Sequence, residues 1–157
     1  MNFRPALLAT VLMCLAAAHQ TVHAQASAAP QPAGMVKRAA GTVTMERGGQ
    51  GTPLAAGTVV LAGDTLRTGA DGAVGITLAD DTLLTLGADS ELVLTEFSFD
   101  STTHDGSMLA SLWRGTVAVV TGLIGKKTPE KVRVQTRTVV LGVRGTEFIV
   151  DAGRAAR

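Results

Sequence analysis

Tyrosine is absent from this sequence, tryptophan occurs once and phenylalanine four times. So sparse a set of rings excludes broad stacking platforms for sugars or bases, because that recognition needs several exposed aromatics. The single cysteine, Cys14, sits in an apolar run near the N-terminus, so the chain beyond it has neither a disulfide nor a thiol ligand. Of three histidines, His19 and His23 are also N-terminal, leaving His104 as the one imidazole for acid–base work in the remainder. After residue 26 there is no apolar run of about 20 residues, the length a helix needs to cross a bilayer.

What is present begins with a short segment carrying Arg4, an apolar core over residues 6–18, and small residues at Ala24 and Ala26. This is the pattern of a secretory signal peptide, with cleavage expected near Ala24 or Ala26. Cys14 lies inside the apolar core behind Met13, which argues against a lipid anchor there. Residues 27–34 are rich in proline and alanine and read as a flexible lead-in. About 130 residues then remain, enough for one domain with one core. The domain expected is 35–151, followed by a tail of 152–157, in a periplasmic or secreted protein.

From Met35 onward, short apolar runs alternate with glycine and aspartate, and β-branched residues are prominent. Val74, Ile76 and Leu78 alternate with small or polar neighbours, as do Leu84 and Leu86, then Leu92 and Leu94. Gly48-Gly49-Gln50-Gly51 lacks the lysine and following helix of a phosphate loop and reads as a hairpin turn. The Met108–Trp113 run reads as a strand, Val117, Val119 and Leu123 as another, and the segment 126–131 as a solvated basic turn, because Pro129 cannot join a central ladder. No helix is evident. The expectation is an all-β fold of short strands with tight Gly/Asp turns, either a β-roll or short solenoid or a compact β-sandwich.

Residues 131–150 are the most distinctive stretch. Val132, Val134 and Thr136 alternate with Lys131, Arg133, Gln135 and Arg137, giving a strand with one apolar and one basic face. Phe148, Ile149 and Val150 form a second run. Between them Gly142 and Gly145 bracket Val143-Arg144 and permit positive φ. Such a loop serves either as a structural corner whose arginine bonds its own fold or as a recognition loop presenting Arg144. A nucleic-acid clamp of Gly-x-x-Gly type needs flanking helices, which the periodicity does not show.

Catalytic constellations are poorly supported. Ser101, His104 and Asp105 crowd one polar loop with no nucleophile elbow and no separate orienting strand. Asp80-Asp81 are adjacent, and neighbouring residues point apart rather than forming a glycosidase pair. Asp64, Asp71, Asp80 and Asp89 stand in turn contexts suited to Asx turns. Neither an EF-hand nor a glycine-rich nonapeptide repeat is present to recruit them for calcium. No enzyme activity, cofactor or metal is expected.

Charge is polarised along the chain. Residues 25–107 carry four basic and ten acidic side chains, and residues 108–157 nine basic and three acidic. Either the two halves pack and neutralise each other, or a basic face of Lys126, Lys127, Lys131, Arg133 and Arg137 meets an acidic partner, a polysaccharide or lipid headgroups. Export makes nucleic acid an unsuitable target.

The run Gly142-Val143-Arg144-Gly145-Thr146-Glu147-Phe148, preceded by Val134-Gln135-Thr136, resembles the end of the FecR domain, the periplasmic module of iron-dicitrate-type sensors. Its opening is similar too: Gly41-Thr42-Val43, Leu54, then Gly63-Asp64-Thr65-Leu66-Arg67-Thr68-Gly69. Leu78-Ala79-Asp80-Asp81-Thr82 and Leu112-Trp113-Arg114-Gly115 match the middle more loosely. Arg137 departs from the family pattern, where a proline is common. The resemblance favours the β-roll or short solenoid, with the compact sandwich as the alternative, and implies a noncatalytic module that binds a protein partner in the envelope, through an edge strand or the basic face. Family members also carry a cytoplasmic anti-sigma segment and a transmembrane helix. Neither is expected here, so a direct sigma-factor role does not carry over. The alternative expectation is a structural or adhesive envelope component.

Overall fold

The computed structural model describes residues 31–142 and 145–153. Residues 1–26, expected to be a signal peptide, Ser27–Pro30 of the expected lead-in, Val143, Arg144 and residues 154–157 lie outside the described residues. Thirteen strands form two sheets: β1 (Pro32–Ala40), β2 (Val43–Arg47), β3 (Gln50–Pro53), β4 (Val59–Leu61), β5 (Thr65–Thr68), β6 (Ala73–Leu78), β7 (Leu83–Leu86), β8 (Glu91–Phe99), β9 (Gly106–Arg114), β10 (Thr116–Val120), β11 (Val132–Gln135), β12 (Val140–Gly142) and β13 (Glu147–Asp151). One sheet has the order β13-β10-β7-β6-β1-β4, the other β12-β11-β9-β8-β5-β2-β3.

Period-two burial in the central strands gives each sheet an inner and an outer face. In β6 and β7, Val74, Ile76, Leu78, Leu84 and Leu86 point inward, and in β8 so do Leu92 and Leu94. These side chains join Leu66, Met108, Leu112, Val117, Val119, Val132 and Val134 in a single core drawn from both sheets. The all-β expectation is met, but the architecture is the alternative, a compact sandwich, and the roll or short solenoid is corrected. A roll or solenoid stacks neighbouring strands in parallel. Among the described strands, β9 with β11 is the one parallel pair, and the other ladders are antiparallel.

The chain nevertheless winds between the sheets, with hairpins β2–β3, β6–β7, β8–β9 and β11–β12 separated by crossings. Gly48 and Gly49 take φ +57° and +81° in the β2–β3 turn, as the hairpin reading requires.

Three local expectations are corrected. Pro32, Ala33 and Gly34 belong to β1 rather than to the lead-in, because Ala33 is buried and Gly34 sits against the β6 backbone with no room for a side chain. Leu123 opens a short helix, α1 (Leu123–Lys127), instead of extending β10. The segment expected to be a basic turn is the end of that helix followed by a 3₁₀ turn, Pro129–Lys131, with the proline at its start. Five helical residues are too few to print a 3.6-residue period on the sequence.

Leu92 is fully buried in the shared core, so Leu92→Ala should lower unfolding free energy by about 2–5 kcal/mol in urea denaturation while leaving the strand-type circular dichroism unchanged.

Candidate functional site

The turn residues singled out in the sequence have structural partners. Gly63 adopts φ +93°, which places Asp64 at the β4–β5 crossing. The Asp64 carboxylate is almost wholly buried and accepts three close hydrogen bonds: Arg47 Nε at 2.7 Å, Arg47 Nη2 at 2.6 Å and the Leu61 amide at 2.7 Å. This bidentate fork holds the guanidinium pKa above its ordinary value, against the lowering effect of desolvation. Arg47 also donates to the Val59 carbonyl at 2.9 Å, closing β2 onto the crossing.

Asp80 is fully buried and organises a second crossing. Its carboxylate accepts from the Thr82 hydroxyl at 2.7 Å and the Thr82 amide at 3.1 Å, an Asx turn as expected. It also reaches the Ile124 amide at 3.4 Å, while the Asp80 carbonyl receives the Leu123 amide at 2.7 Å. Thr82 completes the staple by accepting the Gly122 amide at 2.9 Å. Helix α1 is thus pinned to the β6–β7 turn.

The glycine corner is only partly visible. Gly142 ends β12 in extended backbone, without the positive φ that the bracketing glycines suggested, whereas Gly145 has φ +143°. Arg144 lies outside the described residues. Thr146 is tied down from outside the motif: the Thr121 amide donates to its carbonyl at 2.8 Å and the Thr121 hydroxyl reaches the Gly145 carbonyl at 3.2 Å. Thr121 escaped the sequence reading, and only its place at the end of an alternating run could have marked it.

The five basic residues do not converge. Lys131 and Arg133 line a shallow groove of about 820 Å³ together with Asp100, Asp105, Phe97 and Phe99. Lys126 lines another, of about 760 Å³, beneath Gly142, Gly145 and Thr146. Glu130 stands in both walls. Lys127 is engaged by Asp105 at 2.9 Å and donates to the Thr103 carbonyl at 2.7 Å. Arg137 is exposed in the β11–β12 turn and lines neither groove. The single basic face is therefore corrected to two grooves of mixed charge. Part of the polarised charge is neutralised between the chain's halves, by Lys127–Asp105 and by Arg114–Glu91 at 3.4 Å.

The His104 loop is built for its own shape. His104 has φ +57°, stacks on Phe99 with ring centroids 6.3 Å apart, and donates its amide to the Asp100 carbonyl. The carboxylate that would orient it in a triad, Asp105, is taken by Lys127. Among the described residues no cluster of three or more His, Cys, Asp or Glu side chains could hold a metal ion, and no helix is long and apolar enough to cross a membrane.

These features define an all-β module whose sequence signatures stitch two sheets together. The chain belongs to the FecR family: the FecR protein family model matches residues 64–157. The structure shows that Gly41–Gly63, ahead of that match, is part of the same body, since Gly69 donates its amide to the Thr42 carbonyl and β2 pairs with β5. No curated protein and no solved structure is significantly similar to the chain.

Two outcomes follow. Asp64→Ala removes three charge-assisted bonds but leaves Arg47 half-exposed, where water solvates it, and should cost about 2–3 kcal/mol in denaturant titration, whereas Arg47→Ala strands the buried Asp64 carboxylate without its fork and should cost about 3–5 kcal/mol. Asp71, held by the Thr42 amide, Asp100, held by the Thr103 and Thr102 amides, and Asp105, held by Lys127, all have carboxyl pKa values below the ordinary 3.8. Their contribution is complete above that value and is lost as pH falls below it through the folded-state pKa values. Asp71→Asn should flatten the acid limb of a stability–pH curve while leaving its slope above pH 5 unchanged, about one unit clear of the titration.

Proposed function

We propose that this chain is a noncatalytic, exported interaction module of the cell envelope, which signals or supports assembly by binding a protein partner. Membership in the FecR family supports the signalling purpose. The observation that carries the binding surface is strand β12. It is an edge of the seven-stranded sheet, and its Val140 is 58% exposed, with Val139 and Leu141 beside it also open. Edge strands normally carry protection against adding another strand. The opposite edge of the same sheet, β3, has Gly51 and Pro53, and in the other sheet β4 is three residues long while β13 is flanked by Glu147 and Asp151. β12 is as short as β4 and, like it, has no charge and no proline, but Val140 and Leu141 are both open where β4 buries Val60.

An extended peptide adding to β12 would find main-chain groups along the edge, with Arg133 opposite Gly142 and Arg137 in the adjoining turn. That placement favours an acidic residue at the end of the partner segment. The rival reading, capture of acidic polysaccharide or lipid headgroups, is favoured by the exposed Lys126, Lys131, Arg133 and Arg137, which have no ion-pair partner among the described residues.

A crosslinking pull-down from the envelope of the native host, at low and raised salt, distinguishes the two. A defined envelope protein should be recovered at both salts and lost on Val140→Lys with Leu141→Lys. Recovery of polysaccharide or lipopolysaccharide alone, abolished by raised salt and by Arg133→Glu with Arg137→Glu, would overturn the proposal in favour of polyanion capture.

A further inference from the structure

The outer faces of the two sheets differ sharply. On the seven-stranded sheet the register sets Arg67 beside Glu91 and Glu91 beside Arg114, and Arg67 also pairs with Glu46. Water is the natural neighbour of such a ladder. On the six-stranded sheet the strands β6, β7 and β10 present no charge at all outward, only Ala73, Gly75, Thr77, Leu83, Thr85, Thr116, Ala118 and Val120. One registered row across that sheet reads Val59, Met35, Thr77, Leu83, Val120 and Glu147. Its four large apolar members are each between 36% and 43% exposed. The next row reads Arg38, Gly75, Thr85, Ala118 and Ile149. Ile149 is 72% exposed, the most open large apolar side chain among the described residues.

We infer that this face is a two-fold interface, and that its occupant is a second copy of the same chain. The argument is self-complementarity. β7 is the middle of the five strands β13, β10, β7, β6 and β1. A two-fold axis parallel to the strands and passing over Thr85 lays two such faces together about 10 Å apart and superposes β13 of each copy on β1 of the other. Each edge then meets its opposite in charge. β13 bears Glu147 and Asp151, and β1 bears Arg38 and, at its bulge, Lys37. None of these four has an ion-pair partner among the described residues.

The same operation matches shape. Ile149 arrives over Arg38 of the other copy, beside a dent of about 230 Å³ formed where Gly75 lacks a side chain and lined also by Ala73, Val74 and Thr85. The Arg38 guanidinium lies between Glu147 and Asp151, each two residues from Ile149 and so about 7 Å along the strand. Leu83 meets its own copy near the axis. The surface is separate from β12, which is in the other sheet, so dimerisation and partner binding can fail independently.

Sedimentation velocity on the purified, processed protein tests this directly. A dimer of twice the chain mass is expected. Leu83→Lys with Val120→Lys should convert it to a monomer with unchanged circular dichroism and unchanged capture of partners through β12. Arg38→Glu should weaken dimerisation by about tenfold or more, and adding Glu147→Lys with Asp151→Lys should restore it. A wild-type monomer at every soluble concentration, a dimer insensitive to Leu83→Lys with Val120→Lys, or a monomer that instead binds lipid vesicles through this face would each overturn the inference.

Discussion

The constraint on which the structure depends is that the chain changes sheet repeatedly, and each crossing brings backbone amides and carbonyls to the ends of a closed apolar core where they must find partners. Most of the buried polar side chains are at these points. Asp64 serves the β4–β5 crossing, and Asp80 with Thr82 holds the exit from β10 into α1. Thr121 serves the crossing into β13. Thr68 and Ser90 bond each other's main chain, and Ser90 extends the link to Thr116 at the β9–β10 turn. Each such group is expensive to bury and inexpensive once paired. A sandwich with this winding therefore places its short polar residues at its two ends and leaves its middle apolar.

That arrangement fixes where the buried aspartates direct their oxygens. Asp64 and Asp80 have their carboxylate oxygens directed into the fold, toward an arginine fork and a helix start, and not into a cleft. In the proposed reading, recognition falls to surfaces the crossings leave open: sheet edges and outer faces. An antiparallel sheet tolerates water on one side, so the charge ladder Glu46–Arg67–Glu91–Arg114 is an ordinary solvent face. The rows through Leu83 and Ile149, uncharged across β6, β7 and β10, are not ordinary in that sense, and neither is the open apolar strand β12.

Strand identity was legible because burial follows period two so closely. Val132 and Val134 are buried while Arg133 between them is exposed, as the alternation requires. The Gly48-Gly49 hairpin and the Asx turn at Asp80 were legible from local chemistry. The partners of those turns were not, because they come from distant sequence. Arg47 meets Asp64 seventeen residues away, and Thr82 meets Gly122 forty residues away. The basic face failed for the same reason. Lys131 and Arg133 are close in sequence to Lys126, but Asp100 and Asp105 reach into their groove from the β8–β9 hairpin, and no one-dimensional charge count shows that.

The family signature can now be assigned to cause. Gly41 packs so tightly against Asp71 that a side chain could not fit there, and Thr42 donates its amide to the Asp71 carboxylate. Gly115 packs in the same way against Ser90 and exchanges hydrogen bonds with Ala152 and Gly153. At those points a bulkier residue could not join the two sheets without displacing backbone. The signature therefore specifies how the module folds and is silent on what it binds. β12 and the Leu83 face are free of that demand, since their outward side chains bond nothing in the fold. Partner specificity can change there without loss of the architecture, which is the physical reason a shared FecR fold does not by itself carry a shared ligand.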